Sequence, residues 1–90
     1  MSPVIGREQS GRRPYLVLSD DRLHRARQVV IAVPMTSKPH PIPTHVELAP
    51  GSYAICEQPK TFSVRRVTQV DHHGHDVTRV RAIVVRLIGG

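Results

Sequence analysis

Apolar residues gather in short, dense runs along most of this chain and change period near its end. Tyr15-Leu16-Val17-Leu18 leads into Ser19, and Asp20-Asp21 closes it. Gln28 to Val33 is a second run, rich in β-branched residues and closed by Pro34. Runs of this length and composition predict strands. Because they do not alternate, they predict burial on both faces or a place in a barrel. Asp20 to Arg27, between them, reads as a charged connection with room for one helical turn. Lys38 to Pro43 holds three prolines, which withhold N–H groups and fix φ, so it predicts an extended loop.

Thr44 to Leu48 alternates, with Thr44, Val46 and Leu48 on one face and His45 and Glu47 on the polar one. Ala49-Pro50-Gly51-Ser52 predicts a turn. Tyr53 to Gln58 predicts a strand that Pro59 ends, and Thr61 to Val70 one more short strand. The tail then becomes helical: Val77, Val80, Val84, Leu87 and Ile88 form an apolar stripe expected to pack on the sheet, with Arg79, Arg81 and Arg86 between them. Asp76 is the expected N-cap and Gly89-Gly90 the stop. The pattern predicts an α+β domain: a small, mostly antiparallel, barrel-like sheet closed by one amphipathic C-terminal helix.

Ninety residues fit a single domain, residues 1–90, which buries only about 60–65% of its unfolded surface. One cysteine, Cys56, excludes an internal disulfide framework and reads as a small buried residue. No apolar run approaches bilayer length and the start lacks a signal-peptide core, so a soluble, cytoplasmic protein without a membrane partner is expected. The net charge is +6, and eleven of the thirteen basic residues are arginine, which favours a polyanionic partner. With only Tyr15, Tyr53 and Phe62 as aromatics, a broad base-stacking platform is not expected. His72, His73 and His75 crowd Asp71 to Asp76. No cysteine accompanies them and no fourth ligand is evident, so they predict a solvated loop and no metal site.

Gly6-Arg7-Glu8-Gln9-Ser10-Gly11-Arg12-Arg13-Pro14 is a polar, cationic loop placed where a strand begins. Loops held by a rigid scaffold commonly carry function, and arginine's planar fork matches phosphate. Alone, the loop reads as readily as a solvated turn. Three further segments follow it in order: Ala32-Val33-Pro34-Met35-Thr36-Ser37, Pro43-Thr44-His45-Val46-Glu47-Leu48, and Glu57-Gln58. In this order and at these spacings the chain resembles the MazF/PemK family of toxin endoribonucleases, the toxic halves of bacterial toxin–antitoxin pairs.

The resemblance implies an SH3-like barrel that forms homodimers, uses no cofactor, and cleaves single-stranded RNA at short motifs without metal. It also implies an antitoxin partner. With the basic charge of this chain, that partner is expected to offer an acidic, flexible segment. In the family the arginine before the proline and the threonine ending the next strand carry catalysis, which points to Arg13 and Thr36. Family members usually open with a longer strand than Ser2-Pro3-Val4-Ile5-Gly6, so the first strand is expected to be missing and a sheet edge exposed. Pro59-Lys60 also departs from the family pattern and predicts an early strand end. A binding module without cleavage and a gyrase-inhibiting toxin on the same barrel are the alternatives.

Cleaving RNA through its own 2′-hydroxyl needs a proton acceptor, a donor for the leaving 5′-oxygen, and cationic support for the phosphorane. Arg13 suits the last role first and leaving-group protonation second, since a guanidinium stays protonated and makes a poor proton acceptor. Thr36 can donate to a phosphate oxygen, or it can simply bond local backbone at a strand end. Glu8 is a candidate base and His45 a competing acid–base group, with a half-exposed strand histidine as its plain alternative. Gln9, Ser10, Arg12, Ser37, Lys38, His45 and Gln58 complete the expected RNA-binding set, together with Glu8.

Overall fold

The computed structural model describes residues 2–7, 13–39 and 41–89; the side chains of 2–4, 6, 7, 13 and 68–75 lie outside that description. The described chain forms strands β1 (Ser2–Arg7), β2 (Arg13–Val17), β3 (Val29–Thr36), β4 (His45–Ala49), β5 (Ser52–Ile55), β6 (Lys60–Ser63) and β7 (Val67–His75). Helix α1 spans Asp21–Arg27, α2 spans Thr78–Leu87, and Val64–Arg66 makes a single 3-10 turn. All described strand pairs are antiparallel, in the order β4-β5-β3-β2-β1-β7 with β6 also on β3.

β3 is the hub, and Pro34 lies inside it, where the sequence predicted a strand end. Ile31 accepts from Leu18 N at 2.9 Å and donates to Ser19 Oγ at 2.9 Å, so Ile31 faces the β2 side. Alternation turns Ala32, Pro34 and Thr36 to the opposite edge. There Pro34 has no N–H to give, and the partner strand breaks into β6, paired with residues 29–32, and β5, paired with Met35 and Thr36. The expected strand Tyr53–Gln58 therefore stops at Ile55, in line with the early end that Pro59-Lys60 predicted.

Both faces of β2 and β3 are buried, which explains their unbroken apolar runs. Leu16, Leu18, Val33 and Met35 meet Val46, Ala54, Cys56, Val77 and Val80 on the α2 side. Tyr15, Val17, Val30 and Ala32 meet Ile5 and Phe62 on the other side, where the Tyr15 and Phe62 rings pack edge-on at 5.4 Å. Residue by residue, α2 buries Val77 and Val80 and partly buries Ile83 and Val84. Leu87 and Ile88 remain 50% and 77% exposed, so the expected stripe packs only through its first half. Asp76 Oδ1 accepts from the N–H and hydroxyl of Thr78 at 3.0 and 2.8 Å, and these bonds hold its carboxyl below the usual range.

Three expectations are overturned. The first strand is present: β1 pairs with β2 on one side and β7 on the other, because Ile5 fills the Tyr15–Phe62 cluster and even a short strand gains burial there. Its register on β7 slips between Ser2 and Val4, around Pro3. Asp71 to His75 is not a loop but the end of β7, facing β1 with Val4 opposite Asp71 and Ser2 opposite His75. The barrel is not closed among the described residues: β4 and β7 each pair on one side, and the 3-10 turn, not a ladder, connects β6 to β7. The charged connection after β2 is a seven-residue helix capped by Asp20, whose carboxylate accepts from Arg22 N at 2.8 Å.

Candidate functional site

The β2–β3 ladder pairs Tyr15 with Pro34, Leu16 with Val33 and Val17 with Ala32. Carried two residues further, the same register brings Arg13 level with Thr36. Pro14 enforces an extended backbone at the start of β2 and lies opposite Gly6 of β1. Arg13 is paired in turn with Arg7, and Arg7 with Val67 of β7. A row across the sheet thus runs from Thr36 through the Arg13 and Arg7 positions to Val67.

Thr36 ends β3 through its own side chain. Its Oγ1 accepts from Lys38 N at 3.1 Å, which turns the backbone out of the sheet ahead of Pro39. No described acceptor takes the Thr36 hydroxyl proton, which leaves it free to donate to a ligand. Ser37 and Lys38 follow as exposed residues of that bend. Glu8, Gln9, Ser10 and Arg12 lie outside the described residues, as does the side chain of Arg13.

His45 stands elsewhere than expected. Its side chain is 7% exposed, and its Nε2 lies 3.3 Å from Glu57 Oε2. It heads β4, where Cys56 N donates to Thr44 O at 2.9 Å and draws the turn after β5 over it, whereas Glu47 remains on the open face. Burial pushes the Glu57 carboxyl up. Hydrogen bonds from its own N–H and from the Thr44 hydroxyl, then the nearby His45, outweigh that and leave it below the usual range. Gln58 is exposed in the same turn, its N–H bonded to Ile55 O at 3.3 Å. Cys56 is fully buried, and burial first and Glu57 second push its thiol up to about 11. A thiol so placed is no nucleophile.

Among the described residues, the extended β2–β3 register thus aligns the Arg13 and Thr36 positions, with Ser37 and Lys38 following Thr36, whereas His45 at the head of β4 faces the turn after β5 that carries Glu57 and Gln58. Sequence reasoning missed two positions. Arg7 enters the row only through the β1–β2 register, and its only signal was its place among the arginines of the Gly6 to Pro14 segment. Glu57 acts as the partner of His45, which a separation of twelve residues hides.

The family model for the PemK-like, MazF-like toxin of type II toxin–antitoxin systems matches residues 1–87. The chain belongs to this toxin family. Endoribonuclease EndoA of Bacillus subtilis (strain 168) is 33% identical over 85 residues, covering 84% of this chain and 73% of the relative. Among solved structures, the MazE–MazF complex (Form-II) of Deinococcus radiodurans matches with a TM-score of 0.83 at 23% identity, over 98% of this chain and 93% of that one. An endoribonuclease in complex with its cognate antitoxin, from a mycobacterial species, matches with a TM-score of 0.74 at 20% identity, over 93% and 84%. At these identities the two structures speak for the fold. Type II family membership makes this chain a toxin with an antitoxin partner.

Proposed function

We propose that this toxin is a metal-independent, sequence-selective endoribonuclease that cleaves single-stranded RNA, acting in the cytoplasm as a homodimer. The observation that carries the reading is the β2–β3 register, with Tyr15 opposite Pro34; extended by two residues, it points Arg13 and Thr36 to one end of the two strands. A relative one-third identical that is an endoribonuclease supports it.

In this reaction the 2′-oxygen attacks the adjacent phosphorus and the bond to the 5′-oxygen breaks. The 2′-hydroxyl proton passes to a base and a proton is returned to the departing 5′-oxygen. The products are a 2′,3′-cyclic phosphate and a 5′-hydroxyl. Arg13 supplies fixed charge and several donors to the phosphorane, and the Thr36 hydroxyl adds one more donor to a non-bridging oxygen. Glu8 takes the role of base. His45 is the weaker candidate, because its Nε2 already faces Glu57. Gln9, Ser10, Arg12, Ser37, Lys38 and Gln58 take the RNA-binding roles. The acidic, flexible segment of the antitoxin competes for the same cationic site, and salt weakens that association.

The test is cleavage of a mixed single-stranded RNA in EDTA. The wild-type protein cuts it, leaves the corresponding duplex intact, and fails on a strand with a 2′-deoxy residue at the cut position. Arg13→Ala lowers the rate by ~10²–10³, the usual loss on removing one transition-state donor. Cleavage that requires a divalent metal, or that survives Arg13→Ala unchanged, overturns the assignment. No cleavage with antitoxin binding intact leaves a binding module.

A further inference from the structure

We propose that the exposed arginines Arg27, Arg65 and Arg66 form a second contact surface, which holds the ribose-phosphate backbone of single-stranded RNA flanking the cleaved bond. The proposal rests on the ribonuclease reading above and adds to it a binding track outside the Arg13–Thr36 position.

The row across the sheet leads there. Arg13 is paired with Arg7, Arg7 with Val67, and Val67 directly follows the 3-10 turn that carries Arg65 and Arg66. Val64 N donates to Gln28 O at 2.9 Å, which ties that turn to the end of α1, next to Arg27. Neighbouring strands lie about 4.8 Å apart, so the three steps from Thr36 to Val67 cover roughly 14 Å of sheet. The basic positions therefore follow one path: Arg13, Arg7, Arg66, Arg65, Arg27.

The scaffold under this surface is fixed while its side chains are exposed. Val64 and Val67 pack against the Ile5–Phe62 cluster, and Ser63 Oγ accepts from Arg65 N at 3.2 Å. Gln28 takes φ 56°, and its side-chain amide caps His24 O and Arg25 O at 3.3 and 3.2 Å. The acidic residues of the adjoining helix are already used: Asp20 pairs with Arg22 at 3.1 Å and Asp21 with His24 at 3.5 Å. No described carboxylate comes within ion-pair reach of Arg27, Arg65 or Arg66. The positive potential of the surface is thus not neutralised by a described partner.

The chemistry selects a phosphate backbone and not bases. Tyr15 and Phe62 are buried against each other, so neither offers a face on which a base could stack. Guanidinium groups pair with phosphate oxygens in a bidentate fashion and carry no sequence information there. A strand whose reacting phosphate lies at Arg13 has a line of basic positions to follow in this direction, spaced for successive phosphates, which favours RNA over an acidic peptide.

The experiment measures binding separately from cleavage. Fluorescence anisotropy follows 2′-O-methyl oligouridine, duplex DNA and oligoglutamate across a salt series, for the wild-type protein and for the Arg27→Gln, Arg65→Gln, Arg66→Gln triple variant. Each phosphate contact on a single strand contributes about 0.7 to the salt slope, so losing three lowers it by about 2. The triple lysine variant restores the slope, because lysine keeps the charge, and a merely structural role would not be rescued in this way. An unchanged slope for oligouridine in the glutamine variant overturns the proposal. So does loss of oligoglutamate or duplex binding with oligouridine binding intact, which assigns the surface to a protein or DNA partner. If the glutamine variant loses the slope while the wild-type protein cuts no RNA, this surface stands and the ribonuclease reading ends, so the two failures are distinct.

Discussion

Glu57 reaches back across the turn after β5 to His45, with Oε2 at 3.3 Å from Nε2. Its carboxyl titrates below the ordinary value of 4.5, so folding favours the ionised form. A carboxylate lowered in this way adds stability above its ordinary pKa and loses it as pH falls through the lowered one. Thermal melts should therefore drop as pH falls below about 4.5, and Glu57→Gln should flatten part of that limb. The side chain is 37% exposed, so solvent screening keeps the effect under about 1 kcal/mol. Asp20 and Asp76, also lowered by hydrogen bonds at helix starts, act in the same direction. An acid limb identical in Glu57→Gln and wild type would show that the pair adds nothing.

Thr36 supplies an acceptor to Lys38 N and, in the proposed reaction, a donor to phosphate. Thr36→Ser keeps both and should retain most of the cleavage rate. Thr36→Val keeps the shape and loses both, so single-turnover cleavage should fall by roughly tenfold, about 1.4 kcal/mol of barrier. That loss is smaller than the one expected for Arg13→Ala. Equal rates for the valine and serine variants, both folded by circular dichroism, would remove Thr36 from the chemistry.

Val80 is fully buried among Leu16, Val33 and Cys56, whereas Val85, five residues on and on the other side of the helix, is 51% exposed. Val80→Ala should cost about 2–3 kcal/mol in urea denaturation through lost burial and a residual cavity. Val85→Ala should stay within about 0.5 kcal/mol. Similar losses at both positions would mean that α2 packs in another rotation.

Cys56, with its thiol pushed up to about 11 and no exposed surface, should resist aromatic disulfide reagents at mildly alkaline pH. Its labelling should follow global unfolding and accelerate in denaturant. Fast labelling of the folded protein would show that the turn after β5 opens locally.

Much of this architecture is legible in the sequence. The runs at Tyr15 and Val29 lack alternation, and their burial on both faces follows directly. Asp76 and the Val77–Val80 spacing mark the last helix. What stays hidden depends on partners far along the chain. Pro34 looks like a strand end because its missing N–H is visible, but which edge that gap faces is decided only by β5 and β6. Ser2 to Arg7 looks too short for a strand until β7 and Ile5's pocket supply its pairing and burial. Among the proposed site residues, Arg13 and Thr36 come from the family-like segments. The burial of His45 was not, because a strand's alternation says nothing of a turn folded over it.

The pairing of β1 with β7 joins residues 60 positions apart, Arg7 with Val67. A ribosome makes the first strand early and delivers its second neighbour several seconds later, at about 5–20 residues per second. Until then the sheet lacks its last strand, and the row through Arg13 stops at β1. A nascent toxin is in this sense unfinished for most of its own synthesis. That leaves a window in which the RNA around the ribosome meets only an incomplete toxin.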